Sequence, residues 1–471
     1  MQQYLASSFR PRLDGIFSPW AAWWTEAAAQ LRLALPLALG ELSFVVITTT
    51  DLLMMGWLGP EPLAAGSLGL NTLWLFLFFS FGVISAVGPL CAQALGARSP
   101  RAVRRTFRQG FWVALCLSVP TVLVLWQCRW ILIALGQDPA LAALAEPYMR
   151  ALVFGLPAAF CTAVLWEFCA AHSRPRAPMV LAGLGIGVNA VADYFLMFGF
   201  SGWPGLGLVG AGVASALVNW FIFLSLLTFV LRDRRFRRYR VAARFWRPDW
   251  PRFREIFSVG TPLGLGFLAE MGFFATTTFL VGRLGAEALA AHAIALQLTG
   301  VAIMIPSGLS QAATVRVGYA VGARTREAIG QAGWTALGLG TVYMVLVAVV
   351  FLLFGQDLVG LFLDQTGGPE VVAMGGTLLL IAAGFQVFDG GQTILHGALI
   401  GLKDTRAPMI LAIFGYWGIG VAAAWGLSFH GGLGAPGVWF GVTAALAVVF
   451  TLMLLRWRQR LVAIAKSLKQ S

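Results

Sequence analysis

A chain of 471 residues that is 59% hydrophobic, 11% charged and of mean hydropathy +0.79 is not a soluble globular protein, because soluble domains carry roughly 25% charged residues. A formal charge of +13 would suggest nucleic acid in a soluble protein, but here the arginines cluster in short segments between apolar runs, as topology signals do. Five cysteines without paired spacing and four scattered histidines support neither a disulfide framework nor a metal site.

Residues 1–30 lack a charged start, apolar core and small-residue cleavage site, so they read as a cytoplasmic N-terminal segment and not a removable signal peptide. Trp20, Trp23 and Trp24 read as interfacial anchors. Six apolar runs follow, at 31–56, 66–95, 111–128, 148–171, 177–200 and 207–231, and six more at 256–282, 290–320, 333–355, 371–401, 407–428 and 434–457. Each is long enough for a spanning helix, and open strands cannot cross lipid. The expected fold is therefore all-α, with twelve transmembrane helices: an N-lobe bundle of six at 31–231, a basic cytoplasmic linker at 232–255, a C-lobe bundle of six at 256–457 and a cytoplasmic tail at 458–471. With Arg32 and Arg456 at the cytoplasmic ends of the first and last runs, the two tails and the even-numbered connections hold 29 of the 33 lysines and arginines. One missed or invented span would destroy that alternation, so both termini are expected in the cytoplasm. The linker's charges can also meet anionic lipid headgroups.

The two halves are copies. Pro36–Ala65, PLALGELSFVVITTTDLLMMGWLGPEPLAA, recurs 226 residues later as Pro262–Ala291, PLGLGFLAEMGFFATTTFLVGRLGAEALAA. Gly96-Ala97-Arg98 matches Gly322-Ala323-Arg324 at the same offset, and Arg176-Ala177-Pro178-Met179 matches Arg406-Ala407-Pro408-Met409 at an offset of 230. Six spans separate the copies, so both enter the membrane in the same direction, as parallel repeats of secondary transporters do.

Six acids fall inside apolar runs: Glu41, Asp51, Glu167, Asp193, Glu270 and Asp389. An ionisable group at such depth is costly and marks function by default. With a rise of about 1.5 Å per residue, Asp51, Asn189, Asp193 and Ser215 can share one level in the outer half of the N-lobe. Their carboxylate, amide and hydroxyl oxygens suit H+ or Na+. Glu270 and Asp389 can be neighbours at mid-depth in the C-lobe, where two desolvated carboxylates suit exchange of H+ or Na+ against a cationic guest. Glu41 and Glu167, nearer the cytoplasmic ends, read as structural, with Glu167 in easy reach of a loop arginine. His396, seven residues beyond Asp389, reads as a packed histidine. Arg316 stands out as the clearest intramembrane cation.

These residues resemble the multidrug and toxic compound extrusion (MATE) family, in its NorM-like branch. The marks are PLALGELSFVVITTTDLLMMGWLG, GLGIGVNAVADYFLMFG, GLVGAGVASAL, GTPLGLGFLAEMG and FQVFDGGQTILHGALIGLKDTRAP, in that order across about residues 31–457. The resemblance implies a V-shaped pair of six-helix bundles that exports organic cations in exchange for H+ or Na+ by alternating access, from a bacterial inner membrane. By position, Asp51, Asn189 and Asp193 resemble the family's N-lobe cation site, with Ser215 keeping a hydroxyl where some relatives have Thr. Glu270 and Asp389 resemble the C-lobe acidic pair. Some members have a Tyr four residues before that Asp, and Phe385 removes its hydroxyl here, together with the phenol oxygen a C-lobe Na+ site could use.

The expected protein is thus not an enzyme and needs no cofactor beyond a coupling ion. Its partners are cationic amphipathic small molecules and membrane lipids, without nucleic acid or nucleotide. A lipid-linked precursor flippase of related architecture is the nearest alternative, and a membrane prenyl transferase a more distant one that lacks its second Asp-rich motif. Which lobe holds the driving ion is open at this point.

Overall fold

Every long apolar run is a helix, since a backbone without water partners must satisfy its own hydrogen bonds. The computed structural model describes residues 19–200, 202–239, 245–363 and 368–470; residues 1–18, linker residues 240–244 and the side chain of Trp20 lie outside the described residues. In chain order the twelve long helices are α1 (Pro19–Leu58), α2 (Pro60–Gly96), α3 (Pro100–Leu125), α4 (Pro139–Ala171), α5 (Arg176–Phe198) and α6 (Leu208–Arg232). They continue as α7 (Trp250–Gly282), α8 (Ala286–Gly322), α9 (Arg326–Gly360), α10 (Pro369–Gly401), α11 (Arg406–His430) and α12 (Gly434–Gln470). Among the described residues there is no strand, only an isolated bridge between Phe200 and Trp203. All twelve helices are long and apolar enough to span a bilayer, and the chain is a multi-pass membrane protein.

Helix ends depart from the apolar runs where polar residues find partners. The first helix starts at Pro19 instead of near residue 31, and α12 runs on to Gln470 through the stretch expected as a tail. Hydropathy marks only the lipid-facing length of a helix, and packing carries it further.

The duplication is written in the backbone caps. Among the described residues, Arg98, Ser173, Arg324 and Lys403 are the non-glycine residues with positive φ, at 52°, 54°, 57° and 60°. They end α2, α4, α8 and α10, and each is followed by the same bond from the next amide to a carbonyl five residues back: Ser99 to Ala94, Arg174 to Cys169, Thr325 to Ala320 and Asp404 to Leu399. This is the Schellman cap, normally given to glycine. The odd-numbered connections use glycine for left-handed backbone, as at Gly59, Gly199 and Gly285. Three of these four caps are basic, at Arg98, Arg324 and Lys403, and Ser173 is followed by Arg174, consistent with charge being needed in the even connections.

Two compact units result, one of residues Pro36–Gly264 and the other of Leu265–Ser471 with the part of α1 before Pro36. Each boundary lies at or beside a helix-internal proline, Pro36 in α1 and Pro262 in α7. Within the first unit, α2 and the start of α7 meet backbone to backbone. A Cβ on Gly82 would collide with Gly264, and one on Gly260 with Val83. Small residues at such crossings let helices gain dispersion contacts where lipid gives no hydrophobic drive.

Within the second unit the start of α1 is pinned by charge. Both Glu26 carboxylate oxygens accept from the Arg316 guanidinium, and the two side chains are 7% and 6% exposed. Gln30 adds a bond to the Ala332 carbonyl at 2.6 Å and one to Glu26 at 3.3 Å. Arg316, the clearest intramembrane cation of the sequence, is therefore paired with Glu26 and serves as a structural cation.

Candidate functional site

Among the described residues, each unit holds a hydrogen-bonded acidic cluster built by helices far apart in sequence. In the first unit, α5 carries Asn189 and Asp193 four residues apart, hence on one face. Opposite them stand Asp51 of α1 and Ser215 of α6. The Asn189 amide donates to Asp51 Oδ1 at 2.5 Å and to Asp193 Oδ2 at 2.7 Å. The Ser215 hydroxyl donates to Asp51 Oδ2 at 3.1 Å. Asn189 and Asp193 are wholly buried and Asp51 nearly so. All four residues expected in the N-lobe are thus brought together.

The balance of donors and acceptors in this cluster is uneven. Asn189 spends both amide protons on carboxylates, so its own Oδ1 is buried without a donor, as is Asp193 Oδ1. The Asp51 and Asp193 carboxyls also lie within hydrogen-bonding reach of each other. Two buried carboxylates held on one amide nitrogen cannot both stay ionised and unaccompanied. A proton shared between them, or a small cation taken up by hard oxygens, resolves the conflict. Near them, Tyr148 of α4 is fully buried with an unpartnered hydroxyl. It escaped the sequence reading because PALAALAEPYMRAL looks like an ordinary amphipathic helix; its only signal was a phenol on an otherwise apolar buried face.

In the second unit the acids meet through an intermediary. Gln392, three residues beyond Asp389 on α10, donates to Asp389 Oδ1 at 3.5 Å and to Glu270 Oε1 of α7 at 3.4 Å. Tyr416 of α11 completes the group, its hydroxyl 3.2 Å from Glu270 Oε1 and 3.1 Å from Gln392 Oε1. Glu270 and Asp389 are brought close, as expected, but as an amide-bridged pair. The sequence reading missed Gln392 and Tyr416. An i,i+3 partner of Asp389 was there to be found, whereas Tyr416 depends on the winding of α11.

Phe385 stacks on Trp439 at 5.7 Å, and Trp439 donates from Nε1 to His292 Nδ1 at 3.0 Å. It therefore belongs to an aromatic wall, while the phenol oxygen it lacks is supplied against Glu270 by Tyr416. Glu167 lies against Gly88 and beside Glu41; Arg174, of the loop expected to pair with it, bonds Asp233 instead at 3.2 Å. His396 packs edge-on against Phe267, consistent with a packed histidine.

Known proteins resemble this chain over most of its length. The MatE family model matches residues 36–195 and 262–425, one match per half. A probable multidrug resistance protein NorM of Mesorhizobium japonicum is 41% identical over 451 residues, covering 95% of this chain and 96% of the relative. The multidrug resistance protein NorM of Burkholderia vietnamiensis is 40% identical, covering 91% and 92%. Among solved structures, a MATE in the bent conformation superposes with a TM-score of 0.85 at 21% identity, covering 94% of this chain and 97% of that one. A eukaryotic MATE transporter, AtDTX14, superposes at 0.82 and 21%, covering 94% and 99%. These structural likenesses carry the fold.

Proposed function

The chain belongs to the MatE family, and from that premise we propose that it is a secondary antiporter that expels cationic amphipathic compounds in exchange for H+ or Na+. The coarser statement, a multidrug efflux transporter of MATE fold, has the support of the NorM relatives and the family match. The finer one rests on a single observation: Asp51 and Asp193 are buried on the one amide nitrogen of Asn189, with acceptor oxygens left over. Such a cluster has a built-in appetite for one positive charge.

In this reading the N-lobe cluster takes the coupling ion. The C-lobe cluster, in which Tyr416 caps Glu270 and Gln392 bridges the two acids, offers negative charge to the organic guest. Aromatic side chains beside it supply apolar surface. The protein sits in the inner membrane with both termini cytoplasmic, as the alternation of arginine-rich connections argues. If one net charge enters per cycle, 100 mV supplies about 2.3 kcal/mol, equivalent to a roughly 50-fold guest gradient. If charge is exchanged one for one, the ion's chemical gradient must drive export.

The flippase alternative calls for a cationic cavity, and the ion pair between Arg316 and Glu26 weakens it. Reconstitution in liposomes with pH and Na+ gradients imposed separately tests the antiport reading. A fluorescent cation should accumulate only under one of those gradients, and accumulation with neither would overturn it.

A further inference from the structure

Tyr416 lies in one of two π-helical stretches of α11, Phe414–Gly420. An i→i+5 turn is rare and concentrates where it aims a side chain that an α-helix would turn elsewhere. Here it sets two successive residues against two successive residues of α7. The Tyr416 hydroxyl reaches Glu270, and Trp417 Nε1 donates to the Ala269 carbonyl at 3.0 Å. The Tyr416 ring is 1% exposed and stacks on Phe273, with centroids 5.1 Å apart and planes within 16°. The ring is therefore fixed, and only the hydroxyl hydrogen can turn.

That hydrogen has two acceptors in reach, Glu270 Oε1 at 3.2 Å and Gln392 Oε1 at 3.1 Å. It can serve one at a time. The Gln392 amide nitrogen faces both carboxylates, which leaves its carbonyl oxygen turned to Tyr416.

We propose that Tyr416 is a specificity-determining residue of the C-lobe cluster, its hydroxyl switching from Glu270 to Gln392 when a cation takes Glu270. The inference rests on the reading of that cluster as a cation site. Before uptake the phenol caps the carboxylate oxygen; afterwards it keeps a hydrogen bond and turns a lone pair toward the guest. A compact cation such as Na+ or an ammonium group gains an oxygen ligand in this way. A bulky cation with its charge spread over aromatic rings gains little and must still displace a charge-assisted bond. Tyr416 thus tilts the site toward compact or hydrogen-bonding cations.

Tyr416→Phe keeps the ring and its stacking and removes only the switch. It takes a charge-assisted hydrogen bond from the empty site and a weaker neutral one from the filled site. The test is binding of tetraphenylphosphonium to the full-length protein in detergent, for wild type, Tyr416→Phe, Glu270→Gln and the double variant. Tyr416→Phe should bind the probe about five-fold more tightly than wild type, and adding it to Glu270→Gln should change nothing. Unchanged or weaker binding by Tyr416→Phe would overturn the inference, as would an equal gain in both backgrounds. If Glu270→Gln alone binds as well as wild type, the C-lobe reading itself fails, before Tyr416 is touched.

Discussion

The two acidic clusters differ in what they have in surplus. The N-lobe cluster has acceptors to spare: Asn189 and Ser215 donate to its two carboxylates, yet two buried oxygens, Asn189 Oδ1 and Asp193 Oδ1, are left without donors. In the C-lobe, Gln392 and Tyr416 direct neutral donors at Glu270, and Gln392 reaches Asp389. An acceptor surplus calls for a proton or bare cation, whereas a capped carboxylate can wait for a guest. The scaffold underneath is duplicated, down to Pro36 and Pro262 and the left-handed caps at Arg98 and Arg324. The chemistry is not. At the repeat offset Glu270 faces Phe44, and Asp51 faces Thr277, whose hydroxyl is spent on the Phe274 carbonyl. Duplication conserved backbone geometry and freed side chains to diverge, which is how one fold can hold two sites with different work.

The same contrast separates the ion pairs that pin each unit, and here the largest effect is expected. Glu26 and Arg316 are both buried, so Arg316→Ala strands a buried carboxylate and should cost about 3–5 kcal/mol. Arg105, which forks onto Asp249 in the first unit, is 48% exposed; Arg105→Ala should cost at most about 1 kcal/mol. Thermal unfolding in detergent compares them, and equal losses would remove the distinction.

A middle-sized effect is expected at the two bridging amides. Asn189→Ala leaves Asp51 and Asp193 in contact without their shared donor and should destabilise by about 3 kcal/mol. Gln392→Ala leaves the Tyr416 hydroxyl on Glu270 and should cost about 1–2 kcal/mol. Equal losses would mean that the clusters do not differ in their donor balance.

The smallest effect is one of pH. Arg105 holds the Asp249 carboxyl below its ordinary 3.8. A carboxylate depressed in the folded state adds stability above its unfolded pKa, about 3.9, and loses it as pH falls through the lower folded value. The melting difference between wild type and Arg105→Ala should therefore be constant at neutral pH and vanish in acid below the ordinary carboxylate range. A difference that persists there would mean that the arginine acts through packing.

Twelve helices, the repeat and the six acids were legible because each has a local signal: hydropathy, self-similarity, or charge where charge is costly. The assembly of Asp51, Asn189, Asp193 and Ser215 followed from depth along each helix. What escaped depends on long-range fit. Glu26 and Arg316 are 290 residues apart, and nothing local couples them. The start of α1 at Pro19 is hidden because TEAAAQLR lowers the hydropathy there. Tyr416 needed the π-turns of α11, which arise where Gly415 and Gly420 let that helix settle against Val449, Ala445 and Phe273. Periodicity at 3.6 residues cannot show such a turn.

The division of labour between the lobes is tested most directly by measuring binding and driven transport side by side in Asp51→Asn and Glu270→Gln. In liposomes under the gradient that drives wild type, Asp51→Asn should lose accumulation of a fluorescent cation while still binding tetraphenylphosphonium in detergent. Glu270→Gln should lose the binding itself. An Asp51→Asn protein that still accumulates the cation under that gradient, or a Glu270→Gln protein that binds it normally, would contradict the account.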